Sequence, residues 1–146
     1  MITSPRRTLA LLSSAVLVVV ALTGCSAIGS VSSAASKVES CAAIAGTMSS
    51  ASSDIAGSVS SMTSDPAAAL EKLKAVSTDF HASLEKLKNA DVKKAAETAD
   101  ASLTALVEKV DAAVANPASA DSTALQAAAA TVSDDFVAIG KVCTPS

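Results

Sequence analysis

Apolar residues recur at steps of four and three along four separate stretches of this 146-residue chain, and no stretch alternates apolar with polar residues as a half-buried strand would. That period gathers each set on one face of an α-helix and restricts the chain to an all-α fold. The first stripe is Cys41, Ala45, Met48, Ser52, Ile55, Val59 and Met62. It stops at Thr63-Ser64-Asp65-Pro66, where Asp65 is suited to cap a new helix and Pro66 to occupy its first position. A second stripe carries Leu70, Leu73, Val76, Phe80, Leu84 and Leu87, and a third carries Val92, Ala96, Ala99, Leu103, Leu106, Val110 and Ala113. The third ends near Asn116-Pro117, because a residue before proline is pushed out of the helical region. With Asp121 or Ser122 as cap, the last stripe runs through Leu125, Ala129, Val132, Phe136, Ile139 and Cys143. Between Leu87 and Val92 the spacing jumps by five residues, which predicts a break with Asp91 as a cap. Since Lys88-Asn89-Ala90-Asp91 contains neither Gly nor Pro, one continuous helix across this point is the alternative.

Ahead of these stripes lies a segment with a different purpose. Arg6 and Arg7 precede an apolar stretch, Leu9 to Leu22, of 14 residues. As a helix it reaches about 21 Å, short of the roughly 30 Å hydrocarbon core, so it reads as the h-region of a secretory signal. Directly after it stands Leu22-Thr23-Gly24-Cys25. This tetrapeptide resembles the lipobox of bacterial lipoproteins. The resemblance covers the first 25 residues and implies signal cleavage between Gly24 and Cys25, with the Cys25 thiol carrying diacylglycerol. Two or three acyl chains would give stable membrane residence. The Ser4-Pro5-Arg6-Arg7-Thr8-Leu9 segment partly resembles a twin-arginine export motif, from which Pro5 and Ala10 depart. The chain is thus expected to divide into a removed signal peptide at 1–24, a lipidated Cys25 with a tether at 25–35, and a helical domain at 36–146.

With Cys25 assigned to lipid by that resemblance, Cys41 and Cys143 are left as a pair in a compartment where disulfides persist. A bridge between them would enclose nearly the whole mature chain; the alternative is two buried free thiols. The bridge also constrains topology. In an up-down four-helix bundle the first helix begins and the fourth ends at the same end, so the cysteines can meet. Three helices would hold them more than about 30 Å apart, beyond any disulfide. The other surviving arrangement is a long central helix with two outer helices folded back on it. Large apolar side chains number only 26 after processing, many stripe positions being Ala or Ser, so the core is thin and the covalent clamp matters.

No residue pattern announces catalysis. His81, the only histidine, falls next to stripe residue Phe80 and is displaced about 100° toward solvent. Ser49-Ser50-Ala51-Ser52-Ser53 lacks the surroundings of a nucleophilic serine. Asp134-Asp135 lacks a calcium-loop pattern, and no His, Cys or carboxylate cluster has metal-ligand spacing. Lys72, Lys74, Lys86, Lys88, Lys93 and Lys94 are interspersed with Glu71, Glu85, Asp91 and Glu97 and read as a mixed solubilising face, the alternative being a patch for anionic lipid. Loss of Arg6 and Arg7 leaves nine lysines against 14 carboxylates, and the chain has two Phe with no Trp or Tyr, so neither nucleic acid nor stacked sugars are expected as ligands. No cofactor is implied. The sequence points to a non-enzymatic lipoprotein on the extracytoplasmic face of the cell membrane. Its expected role is structural or in binding an envelope protein; the alternative is carriage of a lipid or small apolar molecule between its helices.

Overall fold

The structure, a computed structural model, describes residues 27–144, with side chains from Ser32. Gly24, Cys25 and the signal segment lie outside the described residues. Four helices follow one another: α1 (Ala27–Ser61), α2 (Pro66–Leu84), α3 (Ala90–Ala115) and α4 (Ser122–Cys143), with a single 3-10 turn at Pro117–Ser119. They form an up-down four-helix bundle in which α1 packs on α2, α2 on α3 and α3 on α4. The cysteines of its first and last helices are joined, with Cα atoms 5.6 Å apart. The arrangement with one long central helix does not occur.

Capping explains most helix boundaries. The Asp65 carboxylate accepts from the Ala68 N–H at 3.0 Å with Pro66 inside the first turn, and Asp121 accepts from Thr123 and Ala124 at 2.9 and 3.0 Å. The break between α2 and α3 occurs where the stripe jumps, but its cap is Asn89, which accepts from the Val92 N–H at 3.2 Å. Asp91 instead stands in the first turn of α3, where a carboxylate faces the positive end of the helix.

Residues 27–35, expected as a tether, are helical and continuous with the rest of α1. This segment is mostly Ala and Ser without proline, and the Ser36 hydroxyl donates back to the Ser33 carbonyl at 2.9 Å. Serines thus satisfy their own polar groups inside the helix. The same device buries Ser58 fully, its hydroxyl donating to the Asp54 carbonyl at 2.7 Å.

The core follows the second, third and fourth stripes closely. Leu70, Leu73, Val76, Phe80, Leu84 and Leu87 are buried, as are Val92, Ala96, Ala99, Leu103, Leu106 and Val110. Phe80 and Phe136 cross the bundle diagonally with ring centroids 5.3 Å apart. On α1 the buried line is displaced by about one residue from the expected stripe, roughly 100° of helix rotation. It consists of Ser40, Ile44, Ala51 and Ser58, while Ala45, Ser52 and Val59 are exposed. Small side chains let α1 approach α2 closely, and the larger apolar ones turn toward α4.

A hydroxyl reinforces the bridged end. Ser40 Oγ accepts from the backbone N–H groups of Lys88 and Asn89, each at 3.0 Å, and so ties α1 to the turn between α2 and α3. Ser40→Ala is expected to destabilise by about 1–3 kcal/mol in urea unfolding, because it strands a buried donor. Cys143→Ser is expected to lose about 2–4 kcal/mol through the freed loop. An unchanged melting temperature after that substitution would show that the bridge contributes nothing.

Candidate functional site

The side chains displaced from the α1–α2 contact line a groove between α1 and α4. Met48, Ile55 and Val59 supply one wall and Val132, Phe136 and Val137 the other, around a volume of about 580 Å³. The remaining wall positions, Ser52, Ala56, Ala129 and Ser133, are small, and none of the lining residues is charged. Val59 and Val137 are 50% and 54% exposed and stand at the rim. A second hollow of about 340 Å³ shares Met48 and Ser52 with the first and continues to Cys41, Gly140 and Cys143. The groove therefore runs along the seam of the outer helices and is closed at one end by the disulfide. From Cys41 to Val59 it follows about 27 Å of helix.

Sequence reasoning did not locate this groove because it gave α1 a single apolar stripe. Its apolar and small residues actually span two adjacent lines. Ser40, Ile44, Ala51 and Ser58 form the buried line, with Ser40 bonded to the α2–α3 turn, and Cys41, Met48, Ile55 and Val59 line the seam with α4, which Ile44 also reaches. The signal was present in the width of the arc, since Ile44 stands beside the expected stripe and is more deeply buried than any member of it.

The individually noted polar residues do not assemble into chemistry. Asp134 is exposed and Asp135 half-buried on α4, and among residues 49–53 only Ala51 is buried. Among the described residues no three or more His, Cys, Asp or Glu side chains gather to hold a metal ion. No described helix is long and apolar enough to cross a membrane. Lys74 pairs with Asp111 at 2.8 Å and Lys88 with Glu39 at 2.9 Å, both exposed contacts that add little stability.

His81 has one specific partner. Its Nδ1 lies 2.7 Å from Asp100 Oδ2, with the imidazole largely exposed and the carboxylate mostly covered. The hydrogen bond and the charge of Asp100 raise the His81 pKa above its ordinary value of 6.5, with a smaller contribution from Glu85. No nucleophile completes a relay at this pair among the described residues.

Comparison with protein-family models, with curated proteins and with solved structures yields no match.

The His81–Asp100 pair gives a titration that can be followed directly. His81 is expected to protonate above pH 6.5 and to return toward that value in Asp100→Asn, as read from imidazole proton shifts. A folded-state pKa that is raised means the pair contributes its full stability below the unfolded value and loses it as pH rises through the folded value. The stability difference between wild type and His81→Gln should therefore narrow toward alkaline pH.

Proposed function

We propose that the mature protein is a non-enzymatic lipoprotein, held by acylated Cys25 on the extracytoplasmic face of the cell membrane. Its α1–α4 groove takes the apolar face of a helix from an envelope protein. The anchor rests on Leu22-Thr23-Gly24-Cys25 directly after a short apolar segment. The binding role rests on one observation: an apolar, charge-free slot between two roughly antiparallel helices, open along its length and rimmed by exposed valines. A slot of that form is the vacant position of an additional helix. Ser52, Ala56, Ala129 and Ser133 leave space for a backbone to come close, and Met48 can adjust to the partner's surface. Recognition of an amphipathic helix by an apolar groove needs only such a surface.

The volume itself favours a second reading. About 580 Å³ of apolar hollow falls within the range of small-molecule sites, so a lipid tail or other apolar ligand is the alternative occupant. Its openness argues for the helix, because an acyl chain lying there would keep one side in water.

A photo-crosslinking residue placed at Val137 of the anchored protein, in its own envelope, separates the readings. One discrete protein adduct is expected from position 137 and none from Glu108 on the exposed side of α3. Val59→Asp should reduce that adduct by roughly several-fold, because it sets a carboxylate against the apolar face of the partner. Absence of an adduct together with an apolar ligand retained in native mass spectrometry would replace the helix by the ligand. Intact mass of the same preparation reports the anchor, and a chain without acyl mass at Cys25 would remove it.

A further inference from the structure

The lysines that sequence order groups together are separated by the fold, and others join them. Lys72 and Lys74 lie on α2 away from the bridged end, with Lys74 tied to Asp111. Lys94 from α3 instead converges with Lys37 from α1 and Lys141 from α4 around a surface hollow of about 540 Å³. Asp91 is the one carboxylate on its rim, and Thr98 and Thr144 add hydroxyl oxygens. Among the described residues none of the three lysines forms an ion pair. Lys86, Lys88 and Lys93 stand on the adjoining turn and the start of α3, with Glu39 and Glu85 nearby and Glu39 engaged by Lys88.

This distribution runs against the composition. Nine lysines share the processed chain with 14 carboxylates, yet three ammonium groups meet one carboxylate here. Lys141 answers the carbonyl end of α4, where a cation is favoured. No such account serves Lys94, which stands in the second turn of α3, near an end that favours anions. Lys37 lies well inside α1 and has none either. The opposite end of the bundle carries the capping carboxylates Asp65 and Asp121.

The hollow also lies at the end from which the chain leaves toward Cys25. The Asn89 side-chain amide donates to the Ser33 carbonyl at 3.5 Å, so α1 passes the α2–α3 turn at that level. From Lys37 the described part of α1 continues ten residues to Ala27, about 15 Å of helix. That span is about twice the screening length at physiological salt, so the lysines meet headgroups only when the bundle settles onto the surface.

We infer that the Lys37–Lys94–Lys141 hollow docks on the phosphates of anionic lipid headgroups in the membrane that holds the chain, setting the bundle with its bridged end toward the bilayer. The inference rests on the proposed acyl anchor, which keeps the hollow within reach of the surface. Each lysine at an anionic surface strengthens attraction about fivefold, and a molecule with excess negative charge elsewhere is repelled in any other orientation.

The test uses the full acylated protein, purified from its membranes and placed in vesicles of phosphatidylcholine alone or of phosphatidylcholine with phosphatidylglycerol. Lysine acetylation is followed residue by residue. With anionic vesicles Lys37, Lys94 and Lys141 should react several-fold more slowly than with neutral ones, while Lys72 and Lys109 are unchanged. High salt should abolish the difference; Lys93, beside the hollow, should also be slowed on anionic vesicles, and the triple variant K37Q/K94Q/K141Q should release that protection. Equal rates on both vesicles, with the protein bound to both, would overturn the docking and leave the anchor standing. Protein that leaves neutral vesicles but stays on anionic ones with the same lysines covered would remove the anchor and keep the docking.

Discussion

The Cys41–Cys143 bond holds the first and last helices of the bundle together at one end, and the form of the seam between them depends on that bond. The helices in between are joined by short connections and a well-filled interface, so they need no covalent help. The outer pair has neither a direct connection nor large interlocking side chains along its length. Close to the bond the two helices must touch. Farther along, the small residues Ser52, Ala56, Ala129 and Ser133 leave the wall recessed, and the groove opens. Ser40, next in sequence to the bridged cysteine, adds a second constraint by binding two backbone donors of the α2–α3 turn. One end of the molecule is therefore both cross-linked and hydrogen-bonded, and the rest is held by packing and by pairs such as the exposed Lys74–Asp111 contact.

The packing of α1 accounts for the rest of the site. Its buried line contains one large side chain, Ile44, among Ser40, Ala51 and Ser58. Burial of such small groups contributes little area, but it brings α1 near α2, where Leu70, Leu73 and Val76 supply the bulk. The larger residues Met48, Ile55 and Val59 are left on the side facing α4 and remain partly in water. A helix whose best apolar side chains are not its buried ones has apolar surface to spare. The proposed binding role gives that surface a use that stability alone does not.

Most of the fold was legible in the sequence because three of its stripes have one face each. Leu70 to Leu87 and Val92 to Val110 are buried as the period requires, and Asp65 and Asp121 cap where their positions indicate. The bridge followed once Cys25 was assigned to lipid, by counting the remaining thiols. Three features were hidden. Asn89 caps α3 in place of Asp91 because the turn places Asn89 beside Ser40, a contact between residues 49 apart. The groove was hidden because periodicity reports the direction of an apolar arc and not the number of helices it meets. The lysine hollow was hidden because Lys37 and Lys141 are far from the Lys86–Lys94 run in sequence and join it only in the folded chain.

These features share one helix, and that connects them mechanically. On the proposed reading α1 begins at the lipid, passes the lysine hollow, carries the bridge and the Ser40 tie, and then forms one wall of the groove. It is helical throughout Ala27–Ser61, about 52 Å, so on that reading the described part of the link is a stiff rod and not a flexible tether. A flexible tether would let the bundle tumble and present its groove in any direction. A rod that also meets headgroups through Lys37, Lys94 and Lys141 restricts that freedom, and a partner then loses less orientational entropy on binding. The bridged end faces the bilayer in this arrangement, so the open part of the groove, between Val59 and Val137, lies on the side away from it. A partner helix presented by another envelope protein can enter there without displacing lipid.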